Sequence, residues 1–215
     1  MLADFKMGGM LGGLLRPSFA YITSNSSTTD ATSYTFAGTS LGAIGANRLI
    51  VVGSAARSGA SNSYSSVTVG GSAMSSAVVQ NAAQTNVGLH YLLVPAGTTA
   101  DIVVTFTGTA ARCGIGVWAL YNLAQQAARS TASDTAATLA LSLNTFPDAI
   151  ALAITYTGGS TSEVWTGLTE NFDVAPESSH ILGASVQCTT AETPRTMTCA
   201  ITGGAGIGGV AAVWR

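Results

Sequence analysis

Two histidines, ten carboxylate side chains and three cysteines are the groups in this 215-residue chain that could serve a reaction or hold a metal. His90 and His180 are the only imidazoles, so a Ser-His-Asp triad would have to form around one of them, and no Gly-x-Ser-x-Gly elbow marks a nucleophile. His90 opens a strand-like run and reads as a core or face residue. Glu163, Glu170, Asp173, Glu177 and His180 fall within eighteen residues of a turn-rich stretch, where carboxylates could take up Ca²⁺. Their spacing matches no calcium loop, so they read as solvated rim charges and no metal ligand is assigned. The other six acids are dispersed, with no spacing that pairs two of them for acid–base work.

Gly204-Ala-Gly-Ile-Gly-Gly209 spells G-x-G-x-x-G, which cradles phosphates only between a strand and a helix of a βαβ unit. Only Val210 to Arg215 follow it, too few for that helix. Cys113, Cys188 and Cys199 are an odd set that describes no disulfide framework, although Cys188 and Cys199 could bridge across a hairpin. Trp118 and Trp214 end apolar runs and read as core. Trp165 sits in a turn-rich stretch and is the one aromatic placed as a ligand contact. No catalytic residue and no cofactor is expected, and the chain reads as non-enzymatic.

Only 8% of residues are charged, against about 25% in ordinary soluble domains, so the polar surface must come from Ser, Thr, Asn, Gln and Gly. A net charge of −2 gives no basic footprint for a nucleic acid. The hydrophobic 47% is spread over short runs, none long enough to span a membrane. Of the eight basic residues seven are Arg, a choice suited to planar, partly buried hydrogen bonding, although a solvated face is the default reading. The N-terminal stretch has an apolar run from Met7 to Leu15, preceded by Lys6 and Asp4, whose charges offset, which makes a poor signal peptide. Gly8/Gly12 and Gly9/Gly13 have G-x-x-x-G spacing, but the run is too short to cross a bilayer. Met7, Met10, Leu11, Leu14 and Leu15 instead suit an arm, residues 1–20, that docks into a groove on a neighbouring subunit, where Met and Leu adapt to irregular surfaces.

The elements that would position these groups are strands. Runs of β-branched and apolar residues recur at Tyr34–Phe36, Arg48–Gly53, Ser66–Val69, Val87–Val94, Ile102–Phe106 and Ile115–Tyr121. They continue at Leu139–Leu143, Ile150–Tyr156, Ile181–Cys188, Met197–Ile201 and Gly209–Trp214. Turn-rich segments such as 95–101 and 156–160 separate them, which predicts hairpins and a mainly antiparallel sheet. Ala124–Arg129 is the best helix candidate and is short enough to be a connector.

The second series echoes the first. Asn47–Ala55 matches Pro147–Thr155, Ser66–Gly71 matches Val164–Leu168, and the run at His90 matches the one at His180. The segment at Asp101 matches that at Thr196, and Gly114–Leu120 matches the closing segment. The expected fold is all-β: a single antiparallel, jelly-roll-like sandwich over residues 21–215, built from related halves at about 33–123 and 132–215, behind a short N-terminal arm.

Ala46–Gly59, Val67–Met74, Tyr91–Phe106 and Gly209–Arg215 carry a resemblance to a β-sandwich family of bacterial and phage proteins with a lectin-like (concanavalin-like) jelly roll. The resemblance implies a bacteriophage virion structural protein: a tail, fibre or host-attachment component, or a head decoration. It would be assembled in the bacterial cytoplasm as a homo-oligomer among other virion proteins, and it could touch a host surface glycan. A secreted or surface carbohydrate-binding module using Trp165 is the alternative, and a hydrolase using the patch from Glu163 to His180 is a third.

Overall fold

The computed structural model describes residues 15–59, 62–82 and 84–215, without the side chain of Thr161. Of the arm residues named above, Met7, Met10, Leu11 and Leu14 lie outside the described residues and Leu15 lies within them.

Among the described residues the chain forms fourteen strands. The first half supplies β1 (Ser18–Ser27), β2 (Ala31–Ser40), β3 (Leu49–Ser58), β4 (Tyr64–Val69), β5 (Ser72–Ala73), β6 (Ser75–Ala82), β7 (Thr85–Leu93) and β8 (Thr99–Tyr121). The second supplies β9 (Ser130–Asp134), β10 (Thr138–Thr145), β11 (Ile150–Thr166), β12 (Thr169–Val174), β13 (Ser179–Gln187) and β14 (Glu192–Trp214). Each half keeps to its own antiparallel sheet, eight-stranded and six-stranded respectively, and the two pack into one sandwich. The 124–129 connector is a run of bends with no helical turn. The arm boundary moves from residue 20 to residue 17, because β1 starts at Ser18 and Phe19 already packs between the sheets.

The two sheets repeat one plan around a long strand. The first part of β8 pairs with β2 and β4, and its last part pairs with β1 and β3. Around β14 the same places are taken by β10 and the far part of β11, then by β9 and the near part of β11. From there β3 leads to β7 and β6, as β11 leads to β13 and β12.

Both long strands fold over. Ile102, Val104 and Phe106 from one end of β8 share a core with Ile115, Val117 and Ala119 from the other. The bend falls at the register break near Ala110, which faces both Ala31 and Ser58. Each half therefore encloses its own core, and a third core fills the seam between them, where Trp118 and Trp214 are fully buried. This explains the unbroken apolar runs of β3 and of the near part of β11. Leu49 and Val51 face the seam while Ile50 and Val52 face the outer core, so both faces of the strand are buried.

The ladders also correct one part of the sequence match. Counted from the closing pairs Leu49↔Leu93 and Ile150↔Gln187, position 93 to 90 is a shorter step than 187 to 180, so His90 and His180 are not equivalent.

The tightest joint in the seam is Phe172, whose ring lies on Tyr21 and Trp118 at 5.7 Å from each ring centroid. It fits because Gly116 and Gly183 flank it: a Cβ at either position would meet the ring at 2.1 Å. Packed between fully buried Trp118 and half-buried Tyr21, the ring has little room to shift. Gly116→Ala is therefore expected to cost about 1–3 kcal/mol, read as a lowered urea midpoint, and adding Phe172→Leu should recover part of it. An unchanged midpoint for Gly116→Ala would show that the seam is looser than these contacts require.

Candidate functional site

The arm joins the sandwich at the end marked by Leu49, Leu93 and Tyr121. β1 begins beside the last residues of β8, with Ser18 opposite Tyr121. Three contacts hold the chain just before it. The Asn122 side-chain amide donates to the Arg16 carbonyl at 3.3 Å, Gln187 Nε2 donates to the Pro17 carbonyl at 2.7 Å, and the Arg16 guanidinium lies 3.8 Å from Asp148. Beyond them Leu15 turns out to solvent, 75% exposed.

Two loops at the same end are locked together by one buried cation. Arg48 is fully buried and has no carboxylate partner among the described residues; its fork donates to six main-chain carbonyls. Leu41, Gly42 and Ala43 belong to the loop between β2 and β3, and Val94, Ala96 and Gly97 to the loop between β7 and β8. Only a planar group with five donors can serve so many acceptors. These loops hold Ile44 and the end of β7 at the surface. Leu15, Ile44 and Leu93 are three of the four large apolar side chains exposed among the described residues, and all lie at this end.

At the opposite end of β3 the seam opens into a polar cleft of about 220 Å³. Arg57 and Arg112, which face each other across the β3–β8 ladder, line it with Tyr156, Gly158 and Gly206. Arg112 pairs with Glu177 and donates to Ser179 Oγ at 3.1 Å, and Ser179 Oγ in turn meets the Tyr156 hydroxyl at 2.8 Å. Arg57 forms no ion pair with any described residue.

Trp165, the aromatic placed as a ligand contact, is half-buried. It packs against Leu139, Cys199 and Ile201 as well as the second-half core, and its indole N–H is buried without a partner among the described residues. It lies on a strand rather than in a turn-rich stretch, because the far part of β11 continues through the glycines before it.

The acidic patch divides. Glu177 leaves it for Arg112, while Glu163, Asp173 and His180 bring one ligand atom each to within 4.8 Å of one another. His180 Nδ1 sits 3.0 and 3.1 Å from the two Asp173 oxygens. Burial, then the charges of Asp173 and Glu163, push the Glu170 carboxyl up.

All three cysteines are free and buried, so the Cys188–Cys199 bridge does not form. Cys188 packs in the main second-half core, and Cys199 lies opposite Leu139 in a separate apolar group. Burial pushes the Cys113 and Cys188 thiols up and that of Cys199 to about 12, which disfavours the reactive thiolate.

No protein family, no curated protein and no solved structure matches this chain.

Proposed function

We propose that the chain is a non-enzymatic structural protein of a bacteriophage particle, placed at its periphery as a tail, fibre or host-attachment component or as a head decoration, and held by its N-terminal arm. The observation that carries this reading is the gathering of exposed Leu15, Ile44 and Leu93 at the end where the arm joins. Exposed large apolar side chains at one end of a domain suit a contact surface. The sparse charge of the chain suits packing among other virion proteins. A tagged chain expressed during phage growth should band with intact particles in a density gradient and stay with them in high salt. Recovery only in the free-protein fractions would defeat the proposal.

One observation favours carbohydrate binding as a second reading. The cleft with Arg57 lies at the end away from the arm, so a particle-bound chain would present it outward. Glycan binding lost on Arg57→Ala would support that reading, and a blank glycan array would remove it.

A further inference from the structure

Most arginines of this chain are occupied. Arg48 serves six carbonyls, Arg112 is held by Glu177 and Ser179, and Arg16 lies beside Asp148. Arg195 donates to Glu192 and to the Gly167 carbonyl, and Arg129 lies over the Phe146 ring. Arg57 differs: its side chain makes no hydrogen bond and no ion pair with any described residue, and it lines the cleft at the end of the seam.

The position of Arg57 makes that unanswered charge unfavourable. Arg57 and Arg112 stand directly opposite each other in the β3–β8 ladder, and like charges so placed repel. Glu177 answers Arg112, accepting from its Nε and Nη2, whereas no carboxylate is among the described residues that line the cleft. Asp30 lines an adjoining hollow that Arg57 also borders, and the two form no ion pair. The Arg57 guanidinium therefore offers a planar fork of donors, the shape that takes an oxyanion through two parallel hydrogen bonds.

The rest of the lining suits a hydroxylated ligand. Gln84, whose side-chain amide has no partner among the described residues, and Ser178 supply uncharged polar groups, and Gly158 and Gly206 leave the wall without side chains. At about 220 Å³ the cleft is smaller than the roughly 300–1,000 Å³ of sites that enclose a whole drug-sized ligand, so it takes one unit of a longer one.

We propose that this cleft binds an acidic saccharide, with the oxyanion group of one sugar unit on Arg57 and the hydroxyls of that unit on Gln84 and Ser178. The inference rests on the second reading above, that the cleft holds a glycan, and names the charge of that glycan.

Isothermal titration of the full chain tests it with three probes: a galacturonic acid trisaccharide, the neutral galactose trisaccharide of the same linkage, and inorganic phosphate. The acidic trisaccharide should bind at least about 10-fold more tightly than the neutral one, the step expected of one charge-assisted contact. Phosphate should bind more weakly than the acidic trisaccharide, since it lacks the sugar hydroxyls. Arg57→Gln should abolish the preference for the acidic sugar. Arg57 is exposed, so the substitution spares the core; circular dichroism checks the fold, and Arg57→Lys, which keeps the charge without the fork, should retain only part of the preference. Equal affinity for the two trisaccharides overturns the anionic assignment and leaves the glycan reading standing. Phosphate that binds as tightly as the acidic trisaccharide overturns the saccharide. A preference that survives both Arg57 variants unchanged overturns the site, and no binding by any probe overturns the proposal together with the glycan reading.

Discussion

Arg48→Met should cost at least about 4 kcal/mol of folding stability, a large share of the roughly 5–15 kcal/mol that holds a domain together. The side chain is fully buried and six carbonyls from two loops converge on it. Methionine fills much of the volume but strands acceptors that were bonded to a charged donor, at about 1–3 kcal/mol for each that finds no replacement. Arg48→Lys should recover only part of the loss, since three donors on one nitrogen cannot reach both loops. Urea unfolding measures both variants, and a wild-type midpoint for Arg48→Met would contradict the account of this end. The same substitution should loosen Ile44 and Leu93, whose loops it releases, so the apolar end and the stability of the fold depend on one residue.

The second large effect is a loss of stability in mild acid. His90 is 2% exposed; its Nδ1 is 3.1 Å from Ser76 Oγ, the Tyr64 ring stands edge-on at 5.0 Å, and Nε2 has no partner among the described residues. Burial pushes its pKa down to about 4 from an ordinary 6.5. In the unfolded chain the imidazole takes a proton near pH 6.5, whereas the folded chain resists until about pH 4. The unfolded state therefore binds more protons in that window. Stability is complete above pH 6.5, falls as the pH drops toward 4, and loses nothing further from this group below that, about 3 kcal/mol in all. Unfolding midpoints at pH 7 and pH 4.5, compared between the native chain and His90→Leu, isolate this contribution. Equal pH dependence in the two proteins would show that His90 is not the group responsible.

The strand character of the chain was plain in its sequence because β3, β7, the near part of β11 and the ends of β8 and β14 are buried on both faces and read as continuous apolar runs. Exposed strands were harder to see. β1, β9 and much of β6 and β12 are rich in Ser, Thr and Asn and bury only one face, so nothing marked them off from loops. Glycine misled most. Gly203, Gly204 and Gly206 separated the runs Met197–Ile201 and Gly209–Trp214, yet β14 runs through them, at positive φ and with a shift in register. The stretch around Gly158 likewise continues β11 and carries Trp165 into packing contacts. At the candidate site, the preference for Arg over Lys was visible, but a solvated face was its default reading. That Arg48 in particular would bind two loops was not visible, because its six acceptors are main-chain carbonyls with no sequence signature.

The most direct test of the proposed attachment is removal of residues 1–14, which spares Arg16 and Pro17 and the contacts that root β1. The shortened chain should unfold at the native urea midpoint, to within about 0.5 kcal/mol, and should fail to join particles grown in its presence. A folded, shortened chain that enters particles at the native level would contradict the central claim.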